Sequence, residues 1–325
     1  MVIPRLKKID IKTRKWLNPY RVKREAKEFI LRILTAILMI GISYVILAPL
    51  IGMISTSFMT VEDLFNPMVF MVPENPTLYN VRSAVLHLRF WDSLWYTLRY
   101  AGGLALLHVL VASLVGYGFA RFKFYGSKLI FGLVLLTFII PPQVYMVPLW
   151  FTFRFFGPTD INLINNYTSV IMLTLTGMGL RSGLFIFIFR QFFMGVPREL
   201  SEAATIDGCG PLRTFALVMM PNAKPAIVTV FMFGLIWHYG DTFYSGLLLN
   251  RPRLIHNSLG LAIERWRVHN ANVGGVIPVF NDFEIIYAQM MFYSSILLIV
   301  IPILIIYAIM QRQFIEGIER SGIVG

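Results

Sequence analysis

Few residues in this chain could do chemistry, and the first of them is Asp241. It lies in the run Trp237-His238-Tyr239-Gly240-Asp241-Thr242-Phe243-Tyr244 and is the only acidic residue within any long apolar segment. An ionisable group in such a place is costly unless it faces a cavity or a partner. Aromatic rings with a few polar groups suit a sugar, whose C–H faces stack on rings while its hydroxyls take hydrogen bonds. Two readings of Asp241 therefore stand. It is one wall of a translocation path or gate with Trp237, Tyr239 and Tyr244, or it is a structural carboxylate paired with a neighbouring helix or with His238. The five histidines (87, 108, 238, 256 and 269) have no ligand spacing, so no metal centre is expected. Cys209 is the only cysteine, which leaves no disulfide within the chain. No Gly-x-x-x-x-Gly-Lys-Ser/Thr phosphate loop occurs, so no ATP site of that kind is expected. Nor does any Gly-x-Ser-x-Gly elbow or carboxylate pair within an apolar segment suggest hydrolysis.

A second group of residues reads as a docking handle. In the run from Pro197-Arg198-Glu199-Leu200-Ser201 through Glu202-Ala203-Ala204-Thr205-Ile206-Asp207-Gly208 to Pro221, Pro197 suits a first helical turn. Glu199 and Glu202 sit near the positive helix end, and Gly208 can supply a left-handed C-terminal cap. Pro211 can open a second helix, with Leu212, Phe215 and Val218 at helical spacing, ending near Met220-Pro221. The result is a bent helical pair. Ala203 and Ala204 leave the first helix without bulk on one side, where a partner's groove could receive it.

The elements that must hold these residues are membrane spans. A chain of 325 residues that is 57% hydrophobic and 14% charged, with mean hydropathy +0.67, has too much apolar surface for one water-soluble core. Six segments are apolar over about 20 residues: 30–54, 96–119, 128–151, 168–192, 224–249 and 285–310. Of the 29 Lys and Arg, 19 fall on one side of this arrangement and seven on the other, with Arg32, Arg99 and Arg181 inside proposed spans. The positive-inside rule then puts both termini and the Glu202 to Gly208 run in the cytoplasm. Four arginines between 251 and 267 run against it and are read as part of a folded external loop. The net charge of +12 is largely juxtamembrane and suits anionic lipid, so no nucleic-acid partner is expected. The organisation expected is a basic cytoplasmic tail at 1–29, a six-span domain at 30–310 and a cytoplasmic tail at 311–325. Ala112, Gly116 and Ala120 form a small-residue stripe for close helix packing. Pro141, Pro142 and Pro148 break the third segment, which either lines a pore or is simply kinked.

The Glu202, Ala203, Ala204, Gly208 and Pro221 pattern resembles the Glu-Ala-Ala loop of binding-protein-dependent ABC importer permeases. The ending Gln311-Arg312-Gln313-Phe314-Ile315-Glu316-Gly317 resembles the tail of the maltose-type carbohydrate subgroup. Residues Phe189-Arg190-Gln191-Phe192-Phe193 and Val196-Pro197 are similar to sugar permeases in the same way. The resemblance implies an all-α membrane protein of six transmembrane helices with the type I importer fold and a cytoplasmic coupling helix. It further implies a second permease subunit, two ABC ATPase subunits that bind ATP and Mg, and an extracytoplasmic substrate-binding protein, in a bacterial-type cytoplasmic membrane. This chain would carry no cofactor. Glu202, Ala203, Ala204, Asp207 and Gly208 would couple to an ATPase, and Gln311, Arg312, Phe314 and Gly317 would touch it from the tail. Pro141, Pro142, Trp237, Tyr239, Asp241 and Tyr244 would border the path of a sugar or oligosaccharide. Two rival classes are an ion-coupled secondary carrier using Asp241 and a non-transporting membrane anchor.

Overall fold

In the computed structural model, residues 19–249, 253–274 and 282–322 are described, and among them every extended element is helical. Helix α1 (Pro19–Phe58) runs unbroken from the basic region through the first apolar segment. The short α2 (Val61–Phe65) and α3 (Tyr79–Leu88) follow, and Arg89 in a left-handed conformation (φ 48°) turns the chain directly into α4 (Phe90–Arg121). The second span therefore starts several residues earlier than hydropathy suggests. Next come α5 (Ser127–Ile139), a 3-10 turn at Pro142–Tyr145, α6 (Met146–Arg154), α7 (Tyr167–Leu175) and α8 (Ser182–Gly195).

The cytoplasm-assigned region holds α9 (Arg198–Ile206), α10 (Pro211–Thr214), a π-helical stretch at Phe215–Met219 and α11 (Met220–Asn222). After these lie α12 (Lys224–Tyr239), α13 (Phe243–Leu248), α14 (Ser258–Gly274) and α15 (Asp282–Gly322).

Each of the six expected segments is helical, but only three are uninterrupted: Lys23–Phe58, Phe90–Arg121 and Ile286–Arg312. The third segment bends by 97° between Ser127–Ile139 and Pro142–Arg154, because Pro141 and Pro142 withhold two backbone donors. The fourth is two helices separated by the chain from Thr176 to Arg181, and the expected single span at 224–249 stops at Tyr239. A further bend of 82° separates Pro211–Asn222 from Lys224–Tyr239. At the chain's end, the span and the expected tail at 311–325 are one helix as far as Gly322.

Helix α4 is the hub, packing on α12 and on α8. The small-residue stripe explains the second contact. A Cβ on Gly116 would stand 2.8 Å from Phe189 Cβ and 2.9 Å from the Arg190 nitrogen, so only glycine allows the helices this close. Phe185, Phe189 and Phe193 of α8 fill that interface completely buried. Helix α1 keeps most of its apolar residues exposed, as a helix facing lipid does. At the opposite end from α9, α3, α14 and the first turns of α15 form a folded cap. There Arg265 donates to the His87 carbonyl at 2.8 Å, and Arg253 donates to the Tyr96 hydroxyl at 2.9 Å. This is the folded loop expected for the arginine-rich segment; Arg251 lies outside the described residues.

Candidate functional site: a capped docking helix and a cavity at three helix breaks

Helix α9 is built as its sequence dictates. Pro197 is its N-cap, one residue ahead of the expected first turn. At the other end Gly208 takes φ +82°, its N–H donates to the Thr205 carbonyl at 3.0 Å, and the Cys209 N–H donates to the Ala204 carbonyl at 2.8 Å. These two bonds are a Schellman motif, which closes the helix and reverses the chain. Nothing lies within 4 Å of a Cβ built on Gly208, so the glycine serves the backbone angle rather than close packing.

The two alanines do different work. Ala203 is exposed beside Glu202 and Asp207, whereas Ala204 is buried against the chain's own π-helical stretch. The expectation that both alanines clear the outer face is corrected: Ala204 clears the inner face, letting α9 lie close on Phe215–Met219. Beyond the polar residues the outer face carries Ile206, 86% exposed, and Leu212, 72% exposed. Exposed apolar side chains rimmed by charge are how a docking surface differs from a solvated one.

Helix α4 holds both ends of this handle. The Arg121 guanidinium donates to the Val196 carbonyl, just before α9, at 2.7 Å, and the Tyr117 hydroxyl donates to the Pro211 carbonyl, just after it, at 3.4 Å. Tyr117 also packs edge-on against Phe193 and at a tilt against Phe215, with ring centroids at 5.9 and 5.2 Å. Sequence reasoning missed both residues; their only local signal is an arginine and a tyrosine at the end of a small-residue stripe.

The residues assigned to a path do not act as one group. A cavity of about 460 Å³ lies where the breaks after α5, before α8 and after α12 converge. Pro142 and Tyr244 line it, together with Gln143, Tyr145 and Arg181. The Tyr145 and Tyr244 hydroxyls share a hydrogen bond of 2.9 Å. Trp237 stands beside it, with the Arg181 guanidinium 5.5 Å from its ring, and Pro141 immediately precedes the lining turn. Tyr239 turns away: it is buried and donates to the Ile299 carbonyl at 2.7 Å.

Asp241 turns away as well. Its carboxylate accepts from the Tyr100 hydroxyl at 3.1 Å and from the backbone N–H groups of Tyr244 and Ser245 at 2.9 and 3.1 Å. From one residue ahead of the N-cap Thr242, it thus closes the first turn of α13 and ties it to α4, which is the structural reading of this residue. His238 is not its partner. That ring stacks on His108 at 5.0 Å, and neither of its nitrogens has a hydrogen bond. Of the tail residues, Gln311 and Arg312 are exposed on α15. The side chains of Phe314 and Gly317 lie outside the described residues.

The chain resembles known proteins over nearly its whole length. The arabinooligosaccharides transport system permease protein AraQ of Halalkalibacterium halodurans is 27% identical over 303 residues, covering 90% of this chain and 98% of that relative. The sn-glycerol-3-phosphate transport system permease protein UgpE of Brucella abortus is 25% identical over 292 residues, covering 88% and 94%. A crystal structure of a bacterial ABC transporter involved in the import of the acidic polysaccharide alginate has a chain of the same fold. It aligns with TM-score 0.69 over 89% of this chain and 98% of that one, at 20% identity. The profile described as "binding-protein-dependent transport system inner membrane component" matches residues 108–320, a stretch that includes the C-terminal part of α4, the capped helix α9 and the three broken segments. The chain belongs to the family of binding-protein-dependent transport system inner membrane components, the multi-pass permeases of ABC importers.

Proposed function

We propose that this permease forms, with a second permease subunit, the path by which a sugar or oligosaccharide enters the cell, and that it takes its energy from ATPase subunits docked on α9. The observation that carries this reading is the handle itself. A helix closed by a Schellman motif presents Glu202, Ala203, Ile206 and Asp207 outward, and α4 grips it before and after. A push on such a helix reaches α4 through two side chains, and α4 packs on both α8 and α12. Coupling of this kind is mechanical: ATP binding elsewhere biases a two-state arrangement of the spans.

The partners follow from the same reading: two ABC ATPases carrying ATP and Mg on the cytoplasmic side, and an extracytoplasmic binding protein on the side of the α3–α14 cap. Both termini are cytoplasmic, as the bias of basic residues supports. A carbohydrate cargo is supported by the names of the relatives and by the Gln311-Arg312-Gln313-Phe314 ending. The ion-coupled carrier has no support, because the carboxylate it would use is occupied by three donors.

Purification of the chain from its native membrane tests the proposal. An ATPase, a second permease and a binding protein are expected in one complex, with uptake into vesicles dependent on ATP. Uptake by this chain alone under an ion gradient would overturn it.

A further inference from the structure

Among the described residues Arg181 is the one charged residue lining the cavity at the three helix breaks, and the arrangement around it is unusual. It sits in a left-handed conformation (φ 60°) that non-glycine residues rarely adopt, at the N-cap of α8. Such outliers persist where the surrounding structure enforces them, often at functional sites. Its guanidinium lies 5.2 Å from the Phe138 ring and 5.5 Å from the Trp237 ring. Contacts of that kind use the faces of the cation and leave its N–H groups free. Among the described residues none of those N–H groups has an acceptor, and no carboxylate lies within ion-pair distance. Asp241, the acidic residue of the apolar segments, is already taken by Tyr100 and the α13 backbone. The cavity therefore presents one accessible guanidinium whose N–H groups are unoccupied among the described residues.

We propose that Arg181 is the anion-binding group of the transport path and that the carbohydrate carried bears a carboxylate. This rests on the permease reading above and narrows its substrate class. A planar guanidinium matches a carboxylate through two parallel hydrogen bonds, and the pairing is stronger than neutral ones. Gln143 and the Tyr145–Tyr244 hydroxyl pair supply donors and acceptors for sugar hydroxyls in the same cavity. Phe243 and Phe138 supply apolar faces for the ring.

The test uses the complete transporter complex in nanodiscs of zwitterionic lipid, titrated with glucuronate, glucose and acetate while tryptophan emission is followed. Because Arg181 lies over Trp237, an anion taken by the guanidinium should change that emission, and W237F identifies the signal. Glucuronate is expected to give a saturable change at concentrations about tenfold or more below those needed for acetate or glucose. R181Q should raise the glucuronate requirement about tenfold or more, and R181K less. Equal responses to glucose and glucuronate, or none, would overturn the inference. So would an equal response to acetate, which would mark a general anion site. Loss of the response on adding anionic lipid would reassign Arg181 to a headgroup. Failure of both variants to assemble with the second permease would make it a subunit tie. ATP-driven uptake and co-purification judge the permease reading separately, so a complex that assembles and hydrolyses ATP yet binds no glucuronate rejects this inference alone.

Discussion

Asp241 illustrates how one carboxylate can hold a broken span together. Where α12 stops, the backbone donors of the next helix need acceptors that lipid does not provide, and Asp241 satisfies two of them while tying the break to Tyr100 of α4. Removing it with Asp241→Ala strands those donors, which should cost about 1–3 kcal/mol. Tyr100→Phe removes one bond and should cost about 1 kcal/mol. Thermal unfolding of the purified complex checks both, and the ordering of the two losses is the expected result. A variant Asp241→Ala with unchanged stability but abolished uptake would restore a direct transport role to the carboxylate. The run around Asp241 was legible as polar and aromatic, but not its direction. An aspartate just ahead of a short helix is a capping signal, and within an apolar segment that signal competes with the more conspicuous one of a buried charge.

Among the elements, α9 was the most legible, because its start and end are set locally by Pro197, Gly208 and Pro211. The burial of Ala204 was not legible, since it depends on the π-helical stretch folding back beneath the helix. The breaks differ in the same way. Pro141 and Pro142 announce the first, whereas those at 176–181 and 240–242 hide within windows whose average hydropathy stays high. Gly177, Gly179 and Gly240 marked them, with the charged Arg181 and Asp241 beside. Two predictions belong at this scale. Gly208→Val places a β-branched residue at φ +82°, costing about 1–3 kcal/mol locally and dissolving the cap. Uptake driven by ATP should be lost while the complex still reaches the membrane, and Gly208→Asn should retain more activity because asparagine tolerates that conformation. Arg121→Leu frees the Val196 carbonyl and loosens the entry to α9. ATP hydrolysis should then continue with uptake reduced several-fold; equal uptake and hydrolysis would show that the handle does not need this grip.

At the scale of the whole molecule, orientation in the membrane is open to a direct measurement, because the chain has a single cysteine and it lies in the Schellman turn. A membrane-impermeant maleimide should reach Cys209 in inside-out vesicles and not in right-side-out cells, at a rate slowed by its half-buried position. Labelling from outside would invert the topology. Docking of an ATPase on α9 should protect the same sulfur.

Helix α15 runs as one 41-residue rod from the folded cap to Gly322, at about 1.5 Å per residue roughly 60 Å long. Its first turns touch α3, its middle packs on α12, and its far end extends past the apolar stretch beside the basic Arg312. A rod of that length works as a pointer. A tilt of about 5° about its midpoint would move each tip by only some 2–3 Å, in opposite directions. Pro302 stands at that midpoint and withholds one backbone donor, so the two halves share such a tilt only as far as this turn stays straight.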